Sequence, residues 1–87
     1  ASPRLIASME PEAAVHWLAV PLESGFSTLE MKDAHEERFL SLLDYAIKET
    51  QARAADYPEL ANGLTIKFHF GAYETVPHAK FHILSIE

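Results

Sequence analysis

One stretch of this chain repeats its apolar residues every three to four positions, and every other apolar run is short and alternates. Phe39, Leu40, Leu43, Ala46, Ile47, Thr50 and Ala54 form the helical stripe, while Glu36, Glu37, Asp44, Lys48 and Glu49 lie mostly away from it. That contrast restricts the fold more than any other feature. It predicts one amphipathic helix of about six turns whose apolar side must be buried on a sheet. Asp33 with Glu36 three residues later is a helix-start signature, and Ser27 with Glu30 is a second candidate start. Pro58 ends the helix at the latest, because a proline removes a backbone donor and clashes with the preceding turn.

The remaining apolar runs read as strands. Residues 5–9 form a short run closed by Glu10-Pro11-Glu12. The run Val15-His16-Trp17-Leu18-Ala19-Val20 is rich in branched and aromatic residues and stops at Pro21. Its alternation places Val15, Trp17 and Ala19 on one face and His16, Leu18 and Val20 on the other. Residues 22–28 have loop composition, and Asn62-Gly63 supplies a turn. In residues 64–70, Leu64, Ile66, Phe68 and Phe70 alternate with Thr65, Lys67 and His69. After a connection over 71–75, residues 76–86 alternate again, with Ala79, Phe81 and Ile83 on one face and His78, Lys80 and His82 on the other. Strand, strand, long helix, strand, strand is an α+β pattern: an antiparallel sheet of about four strands with one long helix packed on one face.

A chain of 87 residues is expected to be one domain, spanning 1–87. Its net charge of −6 repels a nucleic-acid backbone, so no nucleic-acid partner is expected. No apolar run reaches membrane-spanning length, and the opening residues lack a signal-peptide pattern. With no cysteine there is neither a disulfide framework nor a thiolate metal site. These features together predict a soluble, intracellular chain of cytoplasmic type. Trp17, Phe26, Phe39, Leu42 and Tyr45 exceed what one thin layer easily covers, which gives the chain a motive to dimerise.

Chemistry concentrates in the histidines. Of five, His16, His69, His78 and His82 fall on predicted strands, and the period of two places His78 and His82 on one face with Lys80 between them. His69 is able to join them from a neighbouring strand. This polar group is either the solvent face of a half-buried sheet or a functional cluster. A metal site made of His69, His78 and His82 is disfavoured, because Lys80 would hold an ammonium beside the cation; no metal or cofactor is expected. His35, beside Glu36 and Glu37 near the helix start, is read as solvated and without a role.

The segment Val76-Pro77-His78-Ala79-Lys80-Phe81-His82-Ile83-Leu84 resembles the signature of the histidine triad (HIT) superfamily, in which three histidines alternate with hydrophobic residues along the last strand. Residues 71–76, ending Glu74-Thr75-Val76, look like a shortened form of that family's glycine-rich turn. Residues 9–21, with Glu10-Pro11 before His16 and an apolar run ending at Pro21, are similar to its strand pair. The helix beginning near Lys32-Asp33 also falls in the family's place, so the resemblance spans residues 4–86. It implies a HIT-like fold in minimal or truncated form, two-fold dimers joined through sheets and helices, and a site for a nucleoside monophosphate or phosphate. In such a site the middle histidine attacks the α-phosphate. By position, His78 matches the first histidine, His82 the third and His16 the additional histidine of the earlier strand. Thr75 matches a hydroxyl residue near phosphate, His69 a phosphate-contacting amide, and Ser8 the carboxylate that holds the ribose.

The departures shape the expected function. Lys80 stands where the nucleophilic histidine belongs, and a lysine with an ordinary pKa of roughly 10.4 is almost wholly protonated at neutral pH. Ser8 replaces charge-assisted ribose contacts by neutral ones. The residues thus imply a degenerate nucleotide- or phosphate-binding module without standard nucleotidyl-hydrolase activity. The alternatives are an altered hydrolase or transferase that uses Lys80, and a purely structural dimerisation module.

Overall fold

The computed structural model describes residues 3–23, 25–70 and 78–86. Strand β1 (Arg4–Ala7) pairs antiparallel with β2 (His16–Val20), with Ile6 opposite Leu18. Helices α1 (Thr28–Ala34) and α2 (Glu36–Arg53) follow, then two short 3-10 turns at Ala54–Asp56 and Pro58–Leu60. Strand β3 (Leu64–Lys67) lies at one edge, and β4 (Phe81–Ser85) inserts between β2 and β3. Among the described residues this makes a four-stranded antiparallel sheet in the order β1-β2-β4-β3. The expected α+β architecture is the one observed.

The helices cover one face. Val15, Trp17 and Ala19 of the second strand region meet Ala79, Phe81 and Ile83 of the last, all on the faces their alternation predicts. Met31, Leu42 and Ala46 close over them from the helices, and Phe39 makes edge contacts with Phe68 and Phe81. At the far end of α2, the Arg53 guanidinium lies over the Trp17 ring, whose edge meets Tyr57. Gly63 takes φ +101°, a conformation that favours glycine, and turns the chain into β3 as the Asn62-Gly63 pair predicts.

Five local expectations are corrected. The helix is two helices, divided at His35, whose φ −141° and ψ 59° leave the helical region. Ser27 and Glu30 form a complete capping box, so the start lies there; Asp33 falls inside α1 and caps nothing. The buried stripe of α2 runs through Leu42, Ala46 and Thr50, and Leu40 and Ile47 face outward. Both registers satisfy a 3.6-residue period, and contact with the sheet selects one. Strands are shorter than their alternating runs: Met9 lies past β1, 68–70 lie past β3 with Phe70 exposed, and 78–80 precede β4. Finally, Trp17 and Leu42 are buried, and Phe26, Phe39 and Tyr45 pack on the core within this one chain, so these five residues do not supply the uncovered apolar surface expected of them. Among the described residues, no helix is long and apolar enough to cross a membrane.

Candidate functional site

The sheet face away from the helices carries the histidines. In the ladder, His82 of β4 stands between Leu18 of β2 and Lys67 of β3, and His16 is opposite Leu84. His16 and His82 are therefore diagonal neighbours on one face, close enough for long side chains to meet. They do: His16 Nε2 and His82 Nδ1 are 2.9 Å apart. His69, two residues past Lys67 and on the same side of the chain, brings its ring edge-on to His82, with centroids 5.0 Å apart.

The hydrogen bonds define the tautomers. The Glu12 backbone N–H donates to His16 Nδ1 at 3.1 Å, so the neutral ring carries its proton on Nε2 and donates it to His82 Nδ1. His82 then carries its own proton on Nε2. The imidazolium forms are disfavoured. Burial lowers the His16 pKa, with Glu12 opposing and Lys67 adding to the shift. His82 is lowered to about 4, first by burial and then by coulombic interaction with His16, His69, Lys67 and Lys80. His16 is only 5% exposed although no helix among the described residues covers this face; the bend that presents the Glu12 amide sits against its ring.

Lys80 is placed by its backbone. The Thr28 hydroxyl accepts from Lys80 N–H at 2.9 Å and donates to Lys80 C=O at 3.0 Å, pinning the start of α1 to the approach of β4. Thr28 is fully buried there. The Lys80 ammonium has no hydrogen bond or ion pair among the described residues, whereas Lys67 reaches Glu12 Oε1 at 3.5 Å.

The site residues predicted from sequence separate into three groups. His16, His69 and His82 converge, with Lys80 close enough to depress the pKa of His82. His78 precedes β4, outside the strand, and its Nε2–H donates to the Pro21 carbonyl at 3.4 Å. Ser8, just past β1, donates its backbone N–H to the His16 carbonyl, and its hydroxyl accepts from Glu10 N–H. Thr75 lies outside the described residues. Two contributors escaped the sequence reading. Glu12 sits in a bend where no periodicity assigns a face, and Thr28 acts through a contact 52 residues away. Only its place right after the capping residue Ser27 marked Thr28 as the start of an element.

No family model matches the sequence, and no curated protein matches it. Among solved structures, the chain is similar to a HIT family hydrolase from Clostridium thermocellum, with a TM-score of 0.73 and 24% identity over all of this chain and 76% of that one. The likeness is one of fold: the four-stranded sheet with its long helix is a HIT-like α+β arrangement.

Proposed function

We propose that this chain is a degenerate HIT-like module that binds a nucleoside monophosphate or phosphate group without the standard nucleotidyl-transfer chemistry. The observation that supports this most is the local charge. In a chain of net charge −6, two lysines and two further imidazoles bear on His82, and the Lys80 ammonium is unpaired among the described residues. An ammonium is a point charge suited to a phosphate oxygen, and the Nε2–H of neutral His82 adds a donor. Lys80 in the place of the nucleophile retains the attraction for phosphate and loses the labile imidazole adduct that the chemistry needs.

Thermal unfolding in chelator, with adenosine or guanosine monophosphate up to millimolar concentration, tests the reading. A ligand at about 100 times its Kd adds roughly 2.7 kcal/mol, which raises Tm by on the order of 10 °C in a domain of this size. A shift with wild type that disappears in Lys80→Ala is the expected result, with no nucleoside monophosphate released from a phosphoramidate or dinucleoside polyphosphate. No shift with any nucleotide would overturn the binding reading, and turnover abolished by Lys80→Ala would replace it with an altered hydrolase or transferase. We also propose a homodimer, supported by Leu40 and Ile47, seven residues apart on α2 and 54% and 41% exposed. Sedimentation equilibrium at micromolar concentration giving only the monomer mass of 9.7 kDa would exclude it.

A further inference from the structure

Of the histidines expected to group as His69, His78 and His82, His69 meets His82 ring to ring, and the His78 ring nitrogen donates to the Pro21 carbonyl. Another trio forms. One ligand atom from each of Glu12, His16 and His82 lies within 4.8 Å of the other two. The three come from separate segments: the bend after β1, the first residue of β2, and the second residue of β4. We propose that Glu12, His16 and His82 form a site for one divalent transition-metal ion of the zinc class, with a fourth coordination position left open.

The donor set fits that class. Two imidazoles and one carboxylate suit zinc and its first-row neighbours better than the oxygen-seeking calcium or magnesium ions, and three protein ligands leave room for water. The spacing fits as well. Two nitrogens bound tetrahedrally at 2.0–2.1 Å stand about 3.3 Å apart. His16 Nε2 and His82 Nδ1 are now 2.9 Å apart, so the rings need to part by only a few tenths of an ångström. Glu12 is exposed, and its carboxylate is free to swing inward once it leaves Lys67, a pair of the exposed kind that contributes little.

Loading the ion has a defined proton balance. His16 loses the Nε2 proton to water as its lone pair there binds the metal, and takes a proton from water at Nδ1, so the ring stays neutral. His82 already offers its Nδ1 lone pair. A protonated Nδ1 on His16 no longer accepts from the Glu12 amide, and that hydrogen bond must open. The displaced amide belongs to an exposed bend, where water replaces the lost partner, and the same movement brings the Glu12 carboxylate toward the ion. Lys67 and Lys80 oppose a cation here, and the Glu12 charge offsets one of them. The inference shares His82 with the phosphate reading and differs from it in using Glu12 and not Lys80.

Titration of the full chain with Co²⁺, followed by the visible absorption of a four-coordinate ion, and with Zn²⁺ by calorimetry, both in phosphate-free buffer, provides the test. One equivalent is expected to bind with a Kd of about 10 µM or tighter. Glu12→Gln, at an exposed position that does not endanger folding, is expected to weaken binding at least ~10-fold, and His82→Asn at least ~100-fold. His35→Ala is expected to keep it, and Lys80→Ala, which removes an opposing charge, to keep or tighten it. In the ¹⁵N spectrum the His16 tautomer changes from Nε2–H to Nδ1–H, and the Glu12 amide resonance moves. Absence of saturable binding up to millimolar metal would overturn the proposal. So would saturable binding that Glu12→Gln and His82→Asn leave unchanged, which would place the ion elsewhere. Nucleotide binding lost in Lys80→Ala and kept in Glu12→Gln separates this outcome from the fate of the phosphate reading.

Discussion

His82 and Ile83 are adjacent in β4 and point to opposite sides of the sheet, and their surroundings differ in kind. Ile83 is completely buried beneath the helices, among Trp17, Ala19, Phe81, Leu42 and Ala46. His82 is half-buried among His16, His69 and Lys67, with a hydrogen bond to His16 and ring contacts to His16 and His69. The backbone ladder is shared, so it cannot account for the difference. One face is held by displacement of water from apolar surface, which has no direction, and the other by hydrogen bonds that work only in one tautomer and one register. Stability therefore concentrates on the helix side and chemistry on the open side.

The largest expected effect breaks the packed face. Ile83→Ala should lower unfolding free energy by about 2–5 kcal/mol, since a filled site without access to water collapses only in part when carbons are removed. Urea denaturation measures this. His82→Asn, one residue away, should cost less than about 1.5 kcal/mol, because Asn Oδ1 occupies the place of the accepting Nδ1. Equal losses for the two variants would mean that the open face also carries the fold. An intermediate effect is expected at the seam between helix and site. Thr28→Val preserves shape and removes the hydroxyl that serves both Lys80 N–H and Lys80 C=O, so it should destabilise by about 1–3 kcal/mol. If nucleotide binding exists, the same variant should weaken it by releasing the backbone of Lys80, and nucleotide affinity unchanged in a folded Thr28→Val protein would detach Thr28 from the site.

The packed face was legible in the sequence to a degree the open face was not, and the reason is physical. Alternation assigns Trp17, Ala19, Phe81 and Ile83 to one side, and the requirement to bury them admits one answer. The same alternation places His16 and His82 on the opposite side but says nothing of their distance, which depends on β4 entering between β2 and β3. His16 entered the reading through its resemblance to a family strand, and its contact with His82 follows from the ladder register. Where the chain leaves regular structure, period-based inference fails: it placed His78 on the strand and had no means to place Glu12. The division of the helix at His35 also lay beyond it, since the capping signals at Ser27 and at Asp33 were equally legible and only Ser27 acts as a cap.

The smallest expected effect sharpens the comparison through pH, in metal-free protein. His82 stays neutral in the folded chain down to about pH 4, against an ordinary histidine value of 6.5, and His16 is shifted in the same direction. Between those two values the unfolded chain binds more protons than the folded one, so stability falls as pH falls through this window and is fully present above it. No such contribution arises on the packed face, which holds no titratable group among the buried core residues. Because His82 is partly exposed, solvent screening keeps its effect below those of the two packing variants. Urea midpoints measured from pH 7.5 to 3.5 should decline more steeply for wild type than for His82→Asn down to about pH 4, and below it the two curves should run parallel. Parallel curves across the whole range would show that the His16–His82 hydrogen bond does not exclude the proton, and the open face would then be an ordinary solvated surface.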